Sequence, residues 1–338
     1  MHKLSLWAAW LPAFFCVTAA ADPRFINAYV VNEGSASLSI IDTPTEKVTA
    51  TVNVGERPRG LAVSSEGERA YVSLEDGTLV ERDMFSRIES ARAMLGGLAY
   101  SIDLSPDGKL LAAAVQNTAE VVLVELATMR IAKKIPIRSG KRPTNAVFSP
   151  DGRWIYVGAE ETPAIDVVDV RQGAVATSIT VGARLRDIAF TADGSRAYVA
   201  AEQPSEVAVI DVSRHTVLAR VKTSSAPFAM AIHPDGKRVF VSAPGAGKVH
   251  VLDTGSNTIV AEFDACNGAS RMALTPDGSK LYVTCGPANE VAVIDTRTSA
   301  RLARVPVGVT PAHIAIRDAN TQDEDAERFE RRGKPKPP

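Results

Sequence analysis

Five arginines stand where an anion could be held. Counting back from a recurring turn glycine (Gly67, Gly108, Gly152, Gly194, Gly236, Gly278), the tenth residue is Arg57, Leu98, Arg142, Arg184, Ala226 or Gly268. The eighth is Arg59, Tyr100, Thr144, Arg186, Phe228 or Ser270, and Arg271 and His313 fall near the same level further along the chain. A guanidinium offers a planar fork of N–H donors that matches the paired oxygens of a carboxylate or phosphate, so several at one concave mouth suit an anionic ligand. Tyr100 and Phe228 add aromatic faces. The plainer reading is a basic rim paired with local carboxylates such as Glu56 and Asp187.

Other reactive patterns are missing. The sequence has no Gly-x-Ser-x-Gly elbow, no His-Glu-x-x-His, no P-loop and no Gly-x-Gly-x-x-Gly opening a helix, so no catalytic residue is singled out. His215, His233, His250 and His313 occupy different places in the repeat and do not converge on one metal. Asp107, Asp151, Asp193, Asp235 and Asp277 recur once per copy in Pro-Asp-Gly-like turns, which marks them as turn formers. Cys-x-x-Cys-His is absent, and no motif indicates a cofactor.

The elements that would position these residues follow from the same glycines. Their intervals are 41, 44, 42, 42 and 42, and one further step of 42 lands on Asn320. In the copy around Gly278, residues 269–275 read as a strand and Thr275-Pro276-Asp277-Gly278 as a tight turn. Strands at 280–284, 290–295 and 301–307 follow, rich in β-branched residues. Tyr-Val or Phe-Val pairs recur at Tyr71, Tyr156, Tyr198, Phe240 and Tyr282, and Ile-Asp or Val-Asp pairs at Asp42, Asp169, Asp211 and Asp295. Strand-rich repeats of this length are propeller blades. Residues 27–54 supply three strands and 309–317 the missing innermost one, which would close the ring and remove its exposed edges. The expectation is an all-β, seven-bladed β-propeller of four-stranded antiparallel blades, with N- and C-terminal strands sharing one blade.

Three segments are expected along the chain: 1–21 a secretory signal, 22–318 the propeller, and 319–338 a disordered polar tail. The signal reading rests on a weakly basic start, an apolar run from Leu4 to Val17 and the small residues Ala19, Ala20 and Ala21. It implies a periplasmic or secreted monomer with no transmembrane segment in the mature chain. A formal net charge of -1 argues against nucleic acid as a partner. Cys266 and Cys285 would meet at one end of a blade, where either a disulfide or two buried thiols is open.

Ala-Tyr-Val, Val-Ala-Val-Ile-Asp-Thr (Val291 to Thr296), Ala-Arg-Val-Pro-Val-Gly (Ala303 to Gly308) and Ser-Pro-Asp-Gly together resemble the YVTN family of β-propellers. The likeness covers about residues 27–318. It implies an exported, non-enzymatic propeller that binds a protein partner or an anionic small molecule, such as an accessory protein of a periplasmic redox system. Two other roles occur in the wider group. One is a redox subunit holding haem or a quinone cofactor; the other is a lactonase-like hydrolase. Against the first, Trp154 is the lone tryptophan outside residues 1–21, and no pair of axial ligands is evident.

Overall fold

The computed structural model describes residues 26–318 apart from 139 and 141; the segments 1–21 and 319–338 lie outside the described residues. Seven four-stranded antiparallel sheets follow one another around a ring. Blade 1 joins the C-terminal strand Pro311–Asp318 to Ile26–Asn32, Ser37–Asp42 and Lys47–Asn53. Blades 2 to 7 cover 58–94, 99–136, 143–180, 183–222, 230–264 and 269–306. Ring closure through a shared blade is as the terminal repeats predict, with Tyr29 opposite Ala315.

Local chemistry explains why each blade takes this form. In the turns after the innermost strands of blades 3, 4, 5 and 7, the Asp carboxylate accepts a hydroxyl and a backbone N–H. Asp277, for example, accepts from Thr275 Oγ1 (2.5 Å) and the Ser279 amide (3.0 Å). The Asp that ends the third strand works in the same way, as Asp253 does for the Ser256 amide (2.7 Å). The outer turn needs one residue with positive φ, filled by Glu46, Arg87, Met129, Gly173, His215, Asn257 or Ser299. Every outer strand then carries a bulge at one equivalent place, between Ile40/Ile41 in blade 1 through Val293/Ile294 in blade 7. Such a bulge twists the exposed edge away from a regular ladder, which protects it from pairing with another chain. Leu218, Val260 and Leu302 are exposed because they are the extra residues of these bulges.

Packing between blades makes the core. Tyr29, Tyr156, Tyr198, Phe240 and Tyr282 are fully buried, and each cluster of apolar side chains joins two neighbouring sheets. Basic residues opening the second strands cross to the next blade: Arg196 donates to the Thr254 carbonyl (2.7 Å) and Arg238 to Thr296 (2.7 Å). At the closure, Lys280 binds the Thr43 carbonyl (2.9 Å) and Glu46 (2.5 Å), while the Tyr282 hydroxyl donates to Glu46 (2.6 Å). Blade 6 is the irregular one. Its innermost strand is only Met230–Ile232, since Pro227 has no amide to donate and Phe228 and Ala229 bond instead around Ser242.

Candidate functional site

The innermost strands run from the arginine rim at one end to the Pro-Asp-Gly turns at the other and enclose a central channel. A cavity of about 1440 Å³ fills it and opens on the turn face. Its wall includes Asp103, Asp187, Arg271, His313 and Arg317, while the rim arginines lie outside it.

At the rim the five arginines do not crowd one sector. They form two clusters, separated by blade 3, where Leu98 and Tyr100 take the equivalent places. Arg57 and Arg59 face Glu33 and Glu75, with Arg59 to Glu33 at 2.5 Å and Arg57 bonded to Glu75. Arg142 and Arg186 share Glu160 (3.2 and 2.7 Å), and Arg184 and Arg186 share Glu202 (3.2 and 2.5 Å). The rim is therefore charge-compensated, five guanidiniums against four carboxylates. The partners are not Glu56 and Asp187. They stand four residues after the recurring tyrosine (Tyr29, Tyr71, Tyr156, Tyr198), at the far end of the second strand. That offset was available in the sequence, since glutamate occurs there only in the blades that carry or adjoin the arginines. Arg57, Arg142 and Arg184 also hold positive φ, a conformation that costs a non-glycine residue about 1 kcal/mol.

Inside the channel a second set of groups departs from the repeat. Seven residues before each turn glycine stand Gly60, Ser101, Asn145, Asp187, Ala229 and Arg271, and His313 is the equivalent residue in blade 1. Asp187 of blade 5 accepts the Met230 amide (2.8 Å), the Asn145 side-chain amide (3.1 Å) and Arg271 Nη1 (3.2 Å). Arg271 belongs to blade 7, so this pair crosses the lumen over blade 6, and its guanidinium lies over the Phe228 ring (5.1 Å). Arg59 stacks on Tyr100 in the same manner (5.1 Å). Burial pushes the Asp187 carboxyl up, and Arg271 opposes that shift. Arg271 gives one of its five N–H groups to Asp187 and has donors left for a ligand.

His313 projects beside this pair. Burial and the Arg271 charge hold its imidazole down to about 3, so it is neutral at pH 7. Its Nδ1 is buried without a hydrogen-bond partner. Two residues nearer the turn, Asp103 is a lone carboxylate at a position that is Ala62, Val147, Ala189, Ala231, Ala273 or Ala315 in other blades. It accepts the Phe148 amide across the blade boundary (2.8 Å), and burial pushes it up to about 6, against the charge of Arg317. Asp103 and Asp187 both satisfy amides on the bare inner edge of the next blade, where no further strand pairs.

Cys266, in the loop that enters blade 7, is bonded to Cys285 at the end of that blade's second strand, with Cα atoms 6.0 Å apart. Among the described residues no group of three or more His, Cys, Asp or Glu side chains is arranged to hold a metal. No helix among them is long and apolar enough to cross a membrane.

Comparison with known proteins places these features in context. The fold is similar to a chain of Kuenenia stuttgartiensis hydrazine synthase, with a TM-score of 0.73 and 22% identity over 86% of this chain and 100% of that one. A functionally unknown protein from Desulfotomaculum acetoxidans DSM 771 gives 0.77 and 19%, over 86% and 98%. The dihydro-heme d1 dehydrogenase NirN in complex with DHE gives 0.66 and 16%, over 92% and 78%. A search of curated sequences finds no match. The YNCE-like beta-propeller family model matches residues 8–321, and the chain belongs to that family.

Proposed function

We propose that this chain is an exported binding propeller whose channel holds a small molecule through an anionic group. The observation that carries this reading is Arg271: a guanidinium anchored by Asp187 and Phe228, with donors to spare, beside a neutral histidine. Anchoring a guanidinium in advance lowers the entropy lost when a carboxylate or phosphate is clasped. Arg57, Arg59, Arg142, Arg184 and Arg186 are spent on glutamates, so they serve to clasp blades and to shape the mouth, with Tyr100 stacked among them. Export is supported by the apolar pattern of residues 1–21 and by the Cys266–Cys285 bond, which suits an oxidising compartment. A partner protein would meet the charged rim, as an accessory protein of a redox system does.

A second reading has one observation in its favour. Two of the structural neighbours are hydrazine synthase and the dihydro-heme d1 dehydrogenase NirN in complex with DHE. Arg271 fits the carboxylates of such a group, whereas His313 is the one histidine of the cavity wall and offers a single nitrogen ligand. An absorption spectrum and native mass spectrum of the protein isolated from its own host separate the two. A colourless protein carrying at most a small organic acid agrees with the binding propeller; absorbance beyond the protein band with a matching mass excess overturns it in favour of a cofactor subunit.

A further inference from the structure

Away from the channel, the irregular entrance to blade 6 brings a hydroxyl, an imidazole and a carboxylate into line. Ser225 Oγ lies 3.2 Å from His250 Nε2, and His250 Nδ1 lies 3.4 Å from Glu262 Oε2. The three come from different elements: the loop before Pro227, the third strand Lys248–Asp253 and the outer strand Thr258–Asp264. His250 is fully buried, Ser225 half-buried, and Glu262 is fixed by Lys248 Nζ (2.5 Å) and Ser224 Oγ (3.0 Å). We infer that Ser225, His250 and Glu262 form a nucleophilic serine site able to cleave small carboxylic esters. The inference stands independently of what the channel binds.

The chemistry requires each member in its place. A serine hydroxyl is a poor nucleophile until a neighbouring base takes its proton, and a base works only in the correct tautomer. Glu262 facing Nδ1 puts the ring proton there and leaves the Nε2 lone pair for Ser225. Burial holds the imidazole below its ordinary value, so it is neutral at pH 7, and Glu262 and Lys248 are the charged groups that act on it. The 3.4 Å separation is long for a formed bond, a common feature of ligand-free sites that shortens as charge develops on the ring. Ala226, the residue after the serine, has a backbone N–H with no partner among the described residues, available to a developing oxyanion.

In the reaction, Ser225 Oγ adds to the ester carbonyl carbon as its proton passes to Nε2. The C–O bond to the alcohol then breaks, and the alcohol leaves with that proton. Water adds to the acyl-serine, gives a proton to Nε2, and the serine departs with it, releasing the carboxylic acid. Blade 4 shows the alternative for this place in the repeat. There Asp166 stands where His250 does and binds the Arg138 amide (2.6 Å) and Ser178 (2.5 Å), tying the loop. A tie needs no base.

The test is covalent labelling of the full-length protein with a fluorophosphonate, which loses fluoride to an activated serine, followed by peptide mass spectrometry. Label is expected on Ser225, none on the more exposed neighbour Ser224 of the same protein, and none after Ser225→Ala. His250→Asn and Glu262→Gln should slow labelling by about 100-fold. Glu262→Gln should also shift the acid limb of the rate profile to lower pH, because the glutamate raises the histidine. Because His250 is buried, its variant is scored only if it melts as the wild type does; Glu262→Gln, at a half-exposed site, decides otherwise. No label on Ser225 of the folded wild type, or equal rates in Glu262→Gln, overturns the proposal.

Discussion

Replacing His313 with Gln should abolish a large part of the acid sensitivity of the fold. In an unfolded chain the imidazole titrates near 6.5, and in the folded protein burial and Arg271 hold it near 3. The folded-state value is depressed, so the contribution to stability is complete above 6.5 and is lost as pH falls, because the unfolded chain takes up the proton first. Between pH 7 and pH 5 the unfolded state gains about 1.5 pH units of protonation free energy that the folded state does not, or about 2 kcal/mol. For a domain of this size that is about 3 °C in melting temperature. The assay is differential scanning calorimetry of wild type and His313→Gln at both pH values in one ionic strength. The drop in melting temperature from pH 7 to pH 5 should be about 3 °C smaller in the variant. Equal drops would refute the claim that this ring is neutral and desolvated beside Arg271.

Asp103 should act in the opposite sense: its folded-state value is raised to about 6, so stability falls as pH rises from about 4 to 6, by about 1 kcal/mol between pH 5 and 7. Asp103→Asn removes that slope in the same calorimetric series, and an unchanged slope counts against it. The bond between Cys266 and Cys285, 19 residues apart, should contribute about 3 kcal/mol, measured as the denaturant-midpoint change in a double Ser variant or under reductant. Gly278→Ala should destabilise more than Gly236→Ala, although both glycines have φ near +70. A Cβ at 278 would stand 2.4 Å from His233 Nε2 and 2.9 Å from Pro234, whereas at 236 it meets open space. Urea melts should show about 1 kcal/mol for Gly236→Ala and about 2 to 3 for Gly278→Ala.

The fold was legible because every level of the sequence repeats: turn glycine, tyrosine, aspartate and β-branched strands return every 42 residues or so, and a ring follows. The rim was half legible. Counting from the turn glycine located Arg57, Arg59, Arg142, Arg184 and Arg186, yet it missed Glu33, Glu75, Glu160 and Glu202 because their offset is set by the other strand of the hairpin. The channel pair was opaque for a different reason. Asp187 and Arg271 are 84 residues apart and meet across the lumen, where no periodic rule places one blade's residue against another two blades away. Ser225, His250 and Glu262 sit on three elements of one repeat with no local motif, and only the register of Val241 with His250 and of His250 with Glu262 aligns them.

The central claim is that an anion binds inside the channel at Arg271 and not on the rim. Isothermal titration calorimetry with acetate, succinate, citrate and inorganic phosphate, on wild type, Arg271→Ala and the double variant Arg57→Ala with Arg184→Ala, tests it most directly. The tightest of these ligands should weaken by about 10- to 100-fold in Arg271→Ala, the loss of a charge-assisted contact, and bind the rim variant as it binds wild type. Binding that survives in Arg271→Ala and fails in the rim variant, or no heat from any of the four anions, would contradict it.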